Sequence, residues 1–194
     1  AVSICDGSPT SLLDLSTPIG NITNWNWDFD NDGVVDDISQ NPNFTFPGPG
    51  TYNVELMTIG VGGCRDSIVI PIVINSIPVA NFTGTNECFG ATNTFADLSN
   101  ILTGNIASWA WDFGDAAITT DTSSLQSPTY TYTTPGTYNV TLTITSDSGC
   151  TNTINTNVQV FTIPVTNFTP TTACAGANSL FTDISLLGSS AIQF

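Results

Sequence analysis

Residues 134–145 read TPGTYNVTLTIT, and their pattern decides the fold class. Apolar side chains alternate with Thr and Asn at Tyr138, Val140, Leu142 and Ile144, which is the two-residue period of a strand with one buried face. The Pro-Gly pair ahead of the strand is typical of a turn. No window shows a convincing 3.6-residue apolar stripe, so the sequence predicts an all-β protein.

The same stretch occurs earlier as GPGTYNVELMTI at residues 48–59, which makes it part of a longer repeat. Tyr52 and Tyr138 are 86 residues apart (138 − 52 = 86). GNITNWNWDFDND at 20–32 matches GNIASWAWDFGDA at 104–116, with Trp27 and Trp111 84 residues apart (111 − 27 = 84). Self-similarity at a fixed period indicates tandem copies of one structural unit.

A third copy begins near the end of the chain, where IPVANFTGTNECFGATNTFADLS at 77–99 recurs as IPVTNFTPTTACAGANSLFTDIS at 163–185. We therefore predict three domains: 1–76, which lacks most of its first strand, 77–162, and the incomplete 163–194. About seven short strands in a full repeat indicate an immunoglobulin-like β-sandwich. Two strands cannot bury an apolar face alone, so we expect a window on a longer array.

Composition excludes several classes of function. Lys+Arg number 1 against 16 Asp+Glu, and the net charge is −15, so the chain lacks the basic side chains that nucleic acid binding needs. The absence of His excludes Ser/His/Asp and Cys/His catalysis, and the compact repeats have no insertion that could build a pocket. We predict a non-enzyme without a membrane span, and the cysteines in an Asn-, Thr- and Ser-rich chain indicate an extracellular or cell-surface location.

WAWDFGDA at 109–116 and SPTYTYTTPGTYNVTLTITSDSG at 127–149 resemble the PKD (polycystic kidney disease) domain, with its WDFGDG turn and PGTYxVxLxV strand. The first repeat departs from the family with WDFDND, and NPNFTF at 41–46 replaces the usual histidine-and-tyrosine strand. The added cysteines are similar to those of PKD repeats in large surface proteins of Bacteroidota, including gliding-motility adhesins exported by the type IX secretion system. The resemblance implies tandem PKD-type sandwiches arranged head to tail.

This resemblance implies a non-catalytic structural or adhesive segment of a long extracellular surface protein or filament. It would act as a stiff, disulfide-stapled stalk for adhesion or motility, with neighbouring repeats or filament subunits, surface glycans and protein ligands as candidate partners. The alternative is a substrate-binding accessory module of a secreted polysaccharide or protein hydrolase. Solvent-facing Trp25 or Trp109 would favour binding, and burial would favour the stalk. DSI at 66–68 resembles a Bacteroidota O-glycosylation motif, which would place sugar on Ser67.

The chain has five cysteines: Cys5, Cys64, Cys88, Cys150 and Cys174. Equal spacing favours bonds within each repeat, Cys5 to Cys64 and Cys88 to Cys150, with Cys174 left for a residue beyond this sequence. Strand direction argues against these pairs, because they would lie at opposite ends of a sandwich, whereas a disulfide needs Cα atoms within about 7 Å. A bond between Cys5 and Cys150 across the repeats and free thiols are the alternatives.

Residues 25–37, WNWDFDNDGVVDD, contain an acidic run. Four of its aspartates fall at the first, third, fifth and ninth positions of a D-x-D-x-D-G pattern, and these positions carry ligands in EF-hand-like calcium loops. The four residues are Asp28, Asp30, Asp32 and Asp36. The twelfth position is Ser rather than the bidentate Glu, and aspartates that cap a tight turn are the structural alternative. WDFGDAAITTDT in the second repeat has no such run. We predict Ca²⁺ in the first repeat and no other cofactor.

Overall fold

The computed structural model describes residues 4–187, 190 and 191. Apart from one 3₁₀ turn at Ile19–Asn21, the regular structure in these residues consists of β-strands, so the all-β prediction is confirmed. The outer ends of the predicted domains 1–76 and 163–194 lie outside the described residues. A search of the described residues finds no helix with the length and hydropathy needed to cross a membrane.

The chain divides into two compact units. The first consists of Ala1–Val79, Ser99–Ser108 and Ile144–Asn152, and the second consists of Ala80–Leu98, Trp109–Thr143 and Thr153–Phe194. The first unit therefore contains the first sequence repeat together with two short segments of the second repeat.

The first repeat forms two sheets. Its strands are β1 (Ile4–Cys5), β2 (Thr10–Ser11), β3 (Ile22–Asp28), β4 (Asn43–Phe44), β5 (Gly50–Gly60) and β6 (Arg65–Asn75). One sheet has the order β1-β6-β5-β3, and the other pairs β2 with β4. The side chains buried in this repeat are Leu12, Trp27, Phe29, Phe46, Val54, Leu56 and Ile74. Strand β5 carries the repeated GTYNV stretch through the middle of the larger sheet, where alternate side chains enter the core.

The second repeat has the same plan with two additional strands. Its strands are β7 (Phe82–Gly84), β8 (Glu87–Cys88), β9 (Thr92–Asp97), β10 (Ile106–Asp112), β11 (Thr122–Ser123), β12 (Thr129–Thr131), β13 (Gly136–Ser146) and β14 (Thr151–Phe161). The sheets have the orders β11-β10-β13-β14-β8 and β12-β9-β7. In β13, Val140, Leu142 and Ile144 are all 0% exposed, as their alternation predicts. Apart from the parallel pairing of β8 with β14, the strands in these two sheets are antiparallel, and the arrangement is an immunoglobulin-like sandwich, as expected.

The last described residues form short strands, and the side chains of the first three of them are exposed. They are β15 (Pro164–Val165), β16 (Phe168–Pro170), β17 (Phe181–Asp183), β18 (Leu186–Leu187) and β19 (Ser190–Ala191). Strand β16 pairs with β17, and β15, β18 and β19 form a small sheet. Phe168 and Phe181 match the core residues Phe82 and Phe95 of the second repeat, but they are 60% and 64% exposed. In the described residues β16 pairs only with β17, and these two rings contact each other with centroids 5.9 Å apart.

Candidate functional site

The acidic turn begins at Asp28, which is buried at the end of β3. Its carboxylate accepts three backbone N–H bonds, from Asn31 at 2.6 Å, Asp32 at 3.2 Å and Gly33 at 2.7 Å. The chain can wrap this tightly because Asn31 and Gly33 have φ values of 60° and 89°, the left-handed region that Asn and Gly tolerate best. Burial by itself would raise the pKa of Asp28, but these N–H donors outweigh it and lower the pKa below its usual value.

Two further aspartates close the turn through backbone contacts. Asp36 accepts a hydrogen bond from the Phe29 N–H at 2.7 Å, and Asp32 accepts one from the Val34 N–H at 2.8 Å. These bonds are the turn-capping arrangement that short acidic side chains favour. The aspartates therefore cap this turn, which is the structural role that the sequence offered as the alternative to calcium binding.

Three of the four predicted calcium ligands are brought together. Carboxylate oxygens of Asp28, Asp30 and Asp36 lie within 4.8 Å of one another, whereas Asp32 is not in this group. Desolvation and the neighbouring carboxylates of Asp32, Asp36 and Asp28 raise the pKa of Asp30. Three carboxylates fit the hard oxygen set that Ca²⁺ prefers, with backbone carbonyls or waters needed to complete six to eight ligands.

The matching turn of the second repeat is built differently. Asp112 accepts the Gly114 N–H at 2.8 Å, and Asp121 accepts the Asp115 N–H at 2.7 Å. Gly114 has a φ of 69°, and a Cβ there would lie 2.5 Å from the Asn139 carbonyl oxygen, so only Gly permits this close approach. The first repeat has an aspartate at this position, and its turn follows another path. Within the described residues, the three-carboxylate group occurs only in the first repeat.

One disulfide joins Cys5 to Cys150, with their Cα atoms 5.7 Å apart. Cys64, Cys88 and Cys174 are exposed free thiols. The cross-repeat alternative is therefore present, and the within-repeat pairing is wrong.

The geometry of the long edge strand explains this correction. Cys5 lies beside Asn75, at the far end of β6 from Cys64. Eleven residues separate Cys64 from Asn75 (75 − 64 = 11), which is about 36 Å at about 3.3 Å per residue. No disulfide can span that distance. Cys88 is placed in the same way, beside the end of β14 that lies farther from the hairpin tip.

Trp25 and Trp109 are half-buried. Their indole N–H groups donate to carboxylates, Trp25 to Asp14 at 2.7 Å and Trp109 to Asp97 at 2.8 Å. These equivalent bonds hold each ring in one orientation against its sandwich. Ser67, the predicted glycosylation site, lies exposed on β6, and its modification stays a prediction.

The profile of the PKD domain family matches residues 3–73 and 75–160, which together are most of the sequence. The chain belongs to the PKD domain family. Each matched stretch covers almost all of one long hairpin, β5–β6 in the first repeat and β13–β14 in the second.

Similar proteins include a metalloprotease and two PKD1 domains from Vibrio species. The chain is 39% identical over 88 residues to the pre-pro-metalloprotease PrtV of Vibrio cholerae serotype O1, a match that covers 45% of this chain and 9% of the protease. The crystal structure of the PKD1 domain of Vibrio anguillarum Epp is 36% identical, with a TM-score of 0.42, over 46% of this chain and 99% of that one. The PKD1 domain of PrtV is 37% identical, with a TM-score of 0.39, over 43% and 96%. The chain thus spans only a small part of the curated protease.

Proposed function

We propose that this PKD chain is a non-catalytic structural or adhesive segment of a long extracellular surface protein or filament. In that protein it acts as a stiff, disulfide-stapled stalk for adhesion or motility, and its partners are neighbouring repeats or filament subunits. The observation that carries the proposal is the disulfide between Cys5 of the first repeat and Cys150 of the second. A ligand-binding role does not require such a bond, whereas a load-bearing role gains from it directly.

The mechanical consequence follows from the sequence separation of 145 residues between the bonded cysteines. Tension applied at the two chain ends passes from Cys5 through the sulfur atoms to Cys150. The residues between them are therefore shielded from extension, even if their strands lose their hydrogen bonds. Without the disulfide, the 145-residue segment between the two cysteines would extend by about 500 Å, at about 3.5 Å per residue.

Single-molecule force spectroscopy on the full chain, pulled from its two ends, tests this proposal. We expect the oxidised chain to extend about 500 Å less than the reduced chain once all structure is lost. Cys5→Ser should extend like the reduced chain, and Cys88→Ser should behave like the unchanged oxidised chain, since Cys88 has no disulfide partner here. Equal extension of oxidised and reduced chains would contradict the load-bearing role.

The second candidate is a substrate-binding accessory module of a secreted hydrolase, and the similarity to a metalloprotease favours it. Trp25 and Trp109 are half-buried, which is neither the solvent-facing state of a stacking platform nor the burial expected of the stalk, so their exposure does not separate the two functions. Calorimetry with a panel of polysaccharides and unfolded proteins separates the two functions. The stalk predicts no saturable heat. Binding that is lost in Trp109→Ala would support the accessory module.

A narrower proposal places the chain in a Bacteroidota gliding-motility adhesin exported by the type IX secretion system. It rests on the two added cysteines of each repeat and on the DSI motif at Ser67. Mass spectrometry of the native protein from the cell-surface fraction should find a glycan on the Ser67 peptide. An unmodified Ser67 in that fraction would remove this support and leave the stalk untouched.

We also propose that the acidic turn of the first repeat binds Ca²⁺ through Asp28, Asp30 and Asp36, with Asp32 as an outer carboxylate. The three-carboxylate group and the raised pKa of Asp30 support this, because a divalent cation would relieve the repulsion. Calorimetric titration should show Ca²⁺ binding that Asp30→Asn weakens at least tenfold. Asp66→Asn, which removes an equal charge outside the turn, should leave the affinity unchanged. Absence of heat and of any shift in melting temperature would refute the site.

A further inference from the structure

The cysteines fall into two structural classes, and the first class comprises Cys5, Cys88 and Cys174. Each begins a Cys-x-Gly turn in which the cysteine carbonyl accepts the N–H three residues later. The N–H donors are Ser8 at 3.1 Å, Ala91 at 3.0 Å and Ala177 at 3.0 Å. The glycines have φ values between 71° and 89°, so the three turns share one backbone conformation. We call these the Cys-x-Gly cysteines.

Two of these cysteines occupy the same place in their sheets. Cys5 lies opposite Asn75 in a parallel pairing, and Cys88 lies opposite Phe161 in another. Phe161 follows Asn75 by 86 residues, the period of the repeat. The residue after each cysteine donates its N–H to the same strand partner, at 2.9 Å in the first repeat and 3.0 Å in the second. The two sulfur-bearing positions are therefore structurally equivalent, although only Cys5 is bonded.

The second class, the hairpin-tip cysteines, comprises Cys64 and Cys150. The carbonyl of Cys64 accepts the Gly60 N–H, and the carbonyl of Cys150 accepts the Ser146 N–H, each at 2.8 Å. In both hairpins the glycine before the cysteine has a positive φ. Its N–H donates to the carbonyl of the residue three positions earlier, at 3.0 Å. These turns are also equivalent, yet Cys150 is 1% exposed and Cys64 is an exposed thiol.

The disulfide therefore joins one cysteine of each class, taken from successive repeats. The hairpin tip Ile144–Asn152 belongs to the first compact unit, together with Cys5. A bond within one repeat would have to span about 36 Å, so each class depends on another repeat for its partner. The unpaired members of both classes, Cys88 and Cys64, keep the same backbone geometry as their bonded counterparts.

We propose that the disulfides of this array form a staggered series, in which every Cys-x-Gly cysteine bonds to the hairpin-tip cysteine of the following repeat. Cys88 is then the attachment site for the hairpin tip of the repeat that begins at residue 163. Cys174 has the same role one repeat later, and Cys64 bonds to a Cys-x-Gly cysteine of a preceding PKD repeat. The inference rests on the proposed function in one respect, that further repeats of this family adjoin the chain.

The bond forms by ordinary thiol–disulfide exchange with a small disulfide such as oxidised glutathione. The Cys88 thiolate attacks one sulfur of the oxidant and releases one glutathione thiol. The hairpin-tip thiolate then attacks the mixed disulfide at the Cys88 sulfur and releases the second. Two thiols are oxidised and one small disulfide is reduced to two thiols, with the two protons of the protein thiols taken up by the released glutathione. The exposure of Cys88 gives the oxidant access.

The experiment completes the third repeat within the full chain. Residues 163–194 match 77–108 at the offset of 86, so a copy of residues 109–162 placed after Phe194 supplies the missing part and one hairpin-tip cysteine. After refolding in a glutathione buffer, non-reducing peptide mapping should find the added cysteine bonded to Cys88 and the bond from Cys5 to Cys150 retained. A bond between the added cysteine and Cys174, or a free added cysteine, would overturn the proposal.

A second extended chain tests the rule at the other end, so that the result does not depend on the folding of one added repeat. A copy of residues 1–83 placed before Ala1 supplies a new Cys-x-Gly cysteine and a new hairpin-tip cysteine. The new Cys-x-Gly cysteine should bond to Cys64, and the new hairpin-tip cysteine should stay free. A bond between the two new cysteines would overturn the staggered series. Cys174→Ser in the first extended chain is the matched control, and it should leave the Cys88 bond in place.

These outcomes are separable from failure of the proposed function. If both extended chains pair their cysteines within single repeats, the staggered series is wrong, while the shielding of residues between Cys5 and Cys150 remains testable by force on the unextended chain. If that chain shows no shielding but the extended chains pair as expected, the series stands and the load-bearing role is wrong.

Discussion

The two repeats share their central hairpin but differ in the sheet that covers it. In the second repeat β7 pairs with β9, and Phe82 packs edge-on against Trp111 with ring centroids 4.9 Å apart. In the described part of the first repeat, β2 pairs only with β4, and no strand corresponds to β7. The place that Phe82 fills is instead a groove of about 630 Å³ lined by Leu12, Trp27 and other apolar side chains.

Equivalent side chains also differ in burial between the described parts of the two repeats. Val140 and Leu142 in β13 are 0% exposed, whereas the matching Val54 and Leu56 in β5 are 4% and 7% exposed. On the neighbouring strand of the first repeat, Ile68 is 57% exposed and lines the groove. The described part of the first repeat thus has a more open core than the second repeat, and the disulfide at Cys5 lies in the unit that contains this core.

Reduction of the disulfide should have the largest effect on this comparison. In the chain-entropy treatment, a bond that closes a loop of this length contributes about 5 kcal/mol, and measured values range from about 0 to 5 kcal/mol. Hydrogen–deuterium exchange of β5 peptides should therefore rise strongly in Cys5→Ser. Cys88→Ser should leave the exchange unchanged, because Cys88 is a free thiol in this chain. Equal protection of β5 in both variants would show that the disulfide does not stabilise the first unit.

Truncation of the equivalent core leucines should have the next largest effect. Leu142→Ala in the closed core should lower the free energy of unfolding by about 4 kcal/mol, and Leu56→Ala in the open core by about 2 kcal/mol, because the groove already admits solvent. Urea denaturation followed by peptide-resolved hydrogen exchange measures each unit separately. A larger loss for Leu56→Ala would contradict the assignment of the open core to the first repeat.

Adding a strand equivalent to β7 should reduce the difference between the repeats. A copy of residues 77–83 placed before Ala1 supplies a second Phe82 side chain for the groove, and should stabilise the first unit by about 2 kcal/mol through apolar burial. The same prefix with that Phe changed to Ala is the matched control and should recover little of the gain. Melting curves of the two prefixed chains make the comparison, and equal melting temperatures would exclude occupation of the groove.

The smallest effect concerns pH and the turn that differs between the repeats. Because the pKa of Asp28 is lowered in the folded state, its carboxylate adds stability above the unfolded pKa of about 3.9, and this contribution is lost as the pH falls through the folded value. The first unit should therefore lose protection below about pH 4. Asp28→Asn should remove that part of the acid dependence, whereas Asp66→Asn should keep it. An unchanged acid profile in Asp28→Asn would contradict the role of its three N–H bonds.

The sequence predicted the strands well because apolar alternation and Pro-Gly turns are local signals. It predicted the position of Asp28 and its neighbours, but not that Asp32 would leave the three-carboxylate group, since that depends on the left-handed conformation of Asn31. Equal spacing favoured the wrong disulfide because a repeat period carries no information on which end of a strand a cysteine occupies. The pairing of Cys5 with Asn75 at the far end of β6 supplies that information.

The most direct test of the central claim is non-reducing peptide mapping, by mass spectrometry, of the 194-residue chain on its own. We expect one cross-linked pair, the Cys5 peptide with the Cys150 peptide, and alkylatable thiols at Cys64, Cys88 and Cys174. A cross-link between Cys5 and Cys64, or between Cys88 and Cys150, would contradict the account of a staple that joins successive repeats.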